Sequence, residues 1–194
     1  MIFAELAPRL RDRPRADWDV AELDRLKRLL MGSDGHGEHH ERFVRLARDA
    51  TPPGTIAVAD GTVRDACARA WHAVAPREFL APNDSSVTGF GIPAALAALL
   101  IHPERHAVCF TDTAGFTETV AELDTASGLE LPAIVVVWTD DAAGVEAGAR
   151  SSGIASIAAR DETAFGWAIE RALAARGPTV ISVPATSGSV TTPV

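Results

Sequence analysis

Short, β-branched apolar runs alternate along this chain with longer stretches in which apolar residues recur every three or four positions. The runs are TIAVA at 55–59, then residues 107–111, 134–138 and 179–183, with a further candidate at 154–158. Each has the length and uniform apolarity of a strand buried on both faces of a parallel sheet. Upstream, DVAELDRLKRLL at 19–30 has helical spacing, with Asp17 or Asp19 able to cap its start. Residues 31–40, MGSDGHGEHH, break that pattern and read as a loop. A second helix is expected over about 40–49, stopped by Pro52, Pro53 and Gly54.

Strands joined by helix-length connections require right-handed crossovers and place helices on both faces of the sheet. The expected fold class is therefore α/β, a three-layer α/β/α sandwich with a mainly parallel sheet. Ligands of such sheets lie beyond the carboxyl ends of the strands. That places Asp60, Asp112, Thr113, Thr139 and Asp140 along one edge. The expected organisation is an extension over 1–16, one domain over 17–184 and a Ser- and Thr-rich tail over 185–194.

Composition narrows the picture. The chain's 194 residues, 47% of them hydrophobic, suffice for one full core and are few for two. A net charge of −8 argues against nucleic acid or an anionic membrane as partner, since both need a concentrated basic surface. Cys67 and Cys109 lie far apart, and Cys109 sits within an apolar run, so no structural disulfide is expected. The first fifteen residues show neither a signal-peptide core nor a membrane span. Together these point to a cytoplasmic location.

From Ser86 the chain reads SVTGFGIPAALAALLIHPERHAVCF, which resembles the "GxMGxGLPAA…A…PDRxVV" stretch of acetolactate synthase-like 2-oxo acid decarboxylases. IAVADGTV at 56–63 and LPAIVVVWTDD at 131–141 resemble two further strand ends of that family. The resemblance is to the C-terminal diphosphate-binding domain of thiamine diphosphate (ThDP) enzymes and implies the ThDP-binding fold. It runs from about 17 to 183, and the VWTD ending is closest to decarboxylases of guanidino-type oxo acids.

That family clamps a divalent metal, and through it the cofactor's diphosphate, between a "GDG" and an "NN" motif. The resemblance assigns Gly89, Phe90, Gly91, Thr113, Ala114 and Gly115 to the cofactor, and Asp112 and Asp140 to Mg²⁺. Hard oxygen ligands suit Mg²⁺, and a glycine-flanked turn at a helix start suits phosphate. Several positions depart from the pattern. The "GDG" triplet falls on Asp112, Thr113 and Ala114, so Thr113 replaces the metal-binding aspartate, and the "NN" pair becomes Thr139 and Asp140. Thr88 stands where the family has a bulky apolar wedge under the bent cofactor. The stretch AAGVEAGARSSG shortens the cover over the diphosphate. The pyrimidine-binding domain and its activating glutamate have no counterpart here.

Each candidate also has a plain structural reading. Asp112 and Asp140 fit either a metal pair or the caps of the helices that follow them. Gly89 and Gly91 permit either close cofactor approach or tight packing of the helix starting near Pro93. Glu122 is expected to be a buried structural residue. His36, His39 and His40 suggest a metal cluster on paper, but their glycine-rich context favours a solvated loop. His72 and His102 are expected on helix surfaces. Ser85 and Ser86 lie in no nucleophile elbow.

Two expectations follow. One is the diphosphate side of a ThDP enzyme, inactive alone, working as a homodimer or with a separate pyrimidine-domain subunit. The other is a non-catalytic binding or assembly module that has lost ThDP and metal binding.

Overall fold

This computed structural model describes residues 36–84 and 86–186, all within one compact unit, Ser33–Val194. The expected helix at 19–30, the boundary near residue 16, Ser85 and the tail beyond residue 186 lie outside the described residues. All the apolar runs are strands: β1 (Ile56–Ala59), β3 (Ala107–Asp112), β4 (Ala133–Thr139), β5 (Ala155–Ala158) and β6 (Thr179–Pro184). A two-residue strand, β2 (Phe79–Leu80), pairs outside β1 and was not apparent in the sequence, because two residues show no period. The sheet is wholly parallel, in the order β2-β1-β3-β4-β6-β5.

Each crossover helix presents its apolar side to one face of the sheet. Helices α1 (His36–Ala50), α2 (Arg64–Ala70) and α7 (Glu162–Leu173) pack on one face, where Phe43, Cys67 and Phe165 meet Phe110, Val136 and Trp138. Helices α3 (Gly91–Ile101), α4 (Thr113–Thr119), α5 (Glu122–Gly128) and α6 (Ala142–Ser151) cover the other, where Ile92, Phe116, Leu123 and Val145 meet Cys109, Val135 and Val137. Strand residues alternate between these clusters, as the two-residue period of a strand requires.

The histidine segment departs from expectation. Helix α1 begins at His36, not near residue 40, and His39 is buried. The His39 ring nitrogen Nε2 lies 2.9 Å from the Pro184 carbonyl, and His40 Nε2 lies 3.0 Å from that of Ala185. The His40 ring packs edge-on against Trp138, 5.2 Å between centroids. These histidines therefore tie α1 to the end of β6, and tertiary packing overrides the local glycines.

Glu122 is exposed in the first turn of α5, and Leu123 is the residue buried there. His72 and His102 lie just past the ends of α2 and α3, not within them. Among the described residues no helix is long and apolar enough to cross a membrane.

Both cysteines are free and buried. Burial, followed by the negative charge of Asp60, holds both thiols well above the ordinary thiol range. A thiolate is the reactive form. Neither thiol is expected to react with a maleimide in the native state at pH 8, whereas both are expected to react in urea. Rapid native labelling of either one contradicts its enclosure.

Candidate functional site

The carboxyl edge of the sheet is built around Asp60, which follows β1 and is 1% exposed. Its Oδ2 accepts the Gly91 N–H at 2.7 Å, while Oδ1 has no partner among the described residues. Gly91 and Gly115 converge on this carboxylate. A Cβ on Gly91 would lie 2.8 Å from Cys109 Sγ and 3.2 Å from Asp60 Cγ. A Cβ on Gly115 would collide with the Thr111 hydroxyl. Gly89, at φ +75°, occupies the left-handed region just before α3. Sequence reasoning placed Asp60 on this edge but gave it no role; its contact with Gly91 is visible only in three dimensions.

Asp112 ends β3 and caps α4. Its Oδ1 accepts the Gly115 N–H at 3.1 Å. Its Oδ2 accepts the Thr62 N–H at 3.0 Å and the Thr62 hydroxyl at 2.8 Å. Burial raises the carboxyl's pKa, but donors from Thr62, Gly115 and Ala114 outweigh that effect and hold it below the ordinary carboxylate range. Asp112 is thus an anion already seated at the start of α4.

Asp140 is exposed and takes no hydrogen bond or ion pair among the described residues. The cap of α6 is its neighbour Asp141, whose Oδ1 accepts the Gly144 N–H at 2.9 Å. Asp112 and Asp140 do lie at the ends of adjacent strands, with Asp112 registered against Trp138. Thr113 turns its hydroxyl towards the Trp138 carbonyl at 3.4 Å. Thr88 donates to Glu118 Oε2 at 2.8 Å, so its side chain is tied to α4. Among the described residues no group of three or more His, Cys, Asp or Glu side chains is placed to hold a metal ion.

A parallel sheet of this order, with glycines crowding the edge between β1 and β3, places the molecule in the open α/β class whose ligands lie at the carboxyl edge of the sheet. Residues 60–149 match the model of the "Thiamine pyrophosphate enzyme, C-terminal TPP binding domain". The chain carries a C-terminal TPP-binding domain related to acetolactate synthase and 2-ketoarginine decarboxylase.

The acetolactate synthase isozyme 1 large subunit of Escherichia coli K12 is 26% identical over 147 residues, 74% of this chain and 26% of that protein. The catabolic acetolactate synthase of Raoultella terrigena is 25% identical over 214 residues, 93% of this chain and 38% of its own. The "Probable 2-ketoarginine decarboxylase AruI" of Pseudomonas aeruginosa is 39% identical over 71 residues, covering 36% of this chain and 13% of that protein. In fold, the ThDP-dependent 4-hydroxybenzoylformate decarboxylase of Rhodococcus jostii RHA1 superposes with a TM-score of 0.69 at 20% identity, over 77% of this chain and 33% of its own. The chain thus spans well under half the length of these relatives.

Proposed function

We propose that this chain is a ThDP-fold domain whose metal–diphosphate clamp is replaced by internal caps, so that its own residues do not complete a decarboxylase or synthase site. Its relationship to ThDP enzymes supports thiamine diphosphate as the ligand of the β1/β3 edge. The residues there do not fit a metal-clamped diphosphate. A hard dication needs several oxygen ligands, yet both Asp112 oxygens are engaged by Thr62 and Gly115 and position 113 offers only a hydroxyl.

The seated Asp112 carboxylate is the observation that carries this reading. A phosphate reaching the Gly115 N–H must first displace a resident anion, and two anions on one helix start repel. A partner domain belongs to the same proposal, as a pyrimidine-domain subunit or within a homodimer, because the relatives extend far beyond the matched region. A cytoplasmic setting also belongs to it, supported by the two free thiols.

Calorimetric titration with ThDP, with and without Mg²⁺, tests this. The parent chain is expected to bind weakly and independently of Mg²⁺. Asp112→Ala removes the competing anion and is expected to tighten ThDP binding about fivefold, the equivalent of ~1 kcal/mol. The lost cap costs the fold about 1 kcal/mol. Tight, Mg²⁺-dependent binding that disappears in both Asp112→Ala and Asp140→Ala would instead establish a working clamp and overturn the proposal.

A further inference from the structure

The strand order creates a second place where successive crossovers diverge, away from the β1/β3 edge. From β4 the chain leaves through α6, whose Val145 and Ala149 pack on the face carrying Val135 and Val137. From β5 it returns to β6 through α7, whose Phe165 and Ile169 pack on the opposite face with Val136 and Trp138. Helices leaving to opposite sides open a crevice at the carboxyl ends of the strands between them. Here the crevice is a cavity of about 250 Å³ whose walls include Asp140, Ala142, Ala158, Arg160, Ser182 and Val183.

Three polar groups in this cavity are uncommitted. Ser182 is only 7% exposed, yet its hydroxyl makes no hydrogen bond among the described residues. Arg160 and Asp140 carry opposite charges on the walls of one cavity, and neither makes an ion pair or hydrogen bond among the described residues. Thr139 pairs with Pro184, and Ala158 with Ser182, so Asp140 and Arg160 follow strands on opposite sides of β6. Their backbones stand two strand spacings apart, about 10 Å. Ala142, in the first turn of α6, lines the same cavity, and its amide precedes the first intrahelical bond.

A bare anion fits this arrangement poorly. Asp140 faces the cavity, and Asp141 and Asp161 cap the helices that start beside it. A ligand carrying both charges satisfies every group, and the alanines and Val183 leave space for a small apolar side chain. We propose that this crevice binds a small aliphatic α-amino acid. Arg160 and the Ser182 hydroxyl hold its carboxylate, and Asp140 holds its ammonium. The assignment goes beyond the cofactor reading and does not depend on it.

The test is a titration of ¹⁵N-labelled protein with L-valine, isobutyrate and inorganic phosphate, followed by amide shifts without ThDP or Mg²⁺, so that its outcome is independent of the clamp. L-valine is expected to shift the amides of Ala142, Arg160 and Ser182. Arg160→Gln and Asp140→Asn, both at exposed positions, are each expected to weaken it about tenfold, with isobutyrate and phosphate weaker than L-valine by a similar factor. Equal binding of phosphate or isobutyrate makes this a simple anion site and overturns the assignment. So does the absence of shifts at these residues up to about 10 mM L-valine, a concentration beyond any specific site of useful affinity.

Discussion

Trp138→Ala is expected to lower the unfolding free energy by about 3–5 kcal/mol, the cost of emptying a fully packed aromatic site. The indole is 2% exposed and packs against Phe110, 5.8 Å between centroids, and against His40 of α1. It thereby joins three elements: β3, β4 and the helix tied to the end of β6. Its backbone pairs with Asp112 and accepts from Thr113, so the loss is also expected to loosen the candidate site. Trp138 Nε1 has no partner among the described residues. Trp138→Phe removes that unpaired donor and keeps most of the ring contact, so its cost should stay below about 1.5 kcal/mol. Urea unfolding of both variants decides the matter, and similar losses for the two would mean that the particular size and shape of the indole, not aromatic ring contact in general, holds the site.

The second large effect is expected at Gly91. A methyl group there meets Cys109 Sγ at 2.8 Å, with Asp60 Cγ and Oδ1 each at 3.2 Å. None of these neighbours is a free chain end: Cys109 belongs to a central strand, and Asp60 is held by the Gly91 N–H itself. Overpacking a site of this kind costs about 1–3 kcal/mol. Gly91→Ala should therefore unfold at lower urea concentration, and adding Cys109→Ala should recover a large part of the loss by vacating the sulfur's space. If the double variant is merely the sum of its parts, the Cβ–sulfur collision is not the cause.

How far the sequence carries differs between the fold and the site. All the apolar runs became strands within a residue or two of their expected bounds; for β1, β3, β4 and β6 this is because a strand buried on both faces needs a nearly unbroken apolar run, whereas β5 is a half-exposed edge strand. β2 escaped notice because its two residues are half-buried and take their strand character from pairing with β1. The start of α1 was misplaced because Gly37 and the neighbouring histidines have poor helix propensity. Contacts of His39 and His40 with residues 145 positions away pay that local cost.

At the site, the motif text placed Asp112, Gly91, Gly115 and Asp140 on one edge but left metal ligand and helix cap open for the two aspartates. Tertiary structure separates them. Asp112 is bound by donors on Thr62, fifty residues away in sequence, whereas Asp140 faces a different crevice without a partner. The chain by itself determined the fold class, the carboxyl edge that bears chemistry and the relationship to ThDP enzymes, because buried periodicity and glycine-rich turns are local properties. Which carboxylates are already satisfied, and which opposite charges share a cavity unpaired, only the packed sheet decided, because those relations depend on strand order.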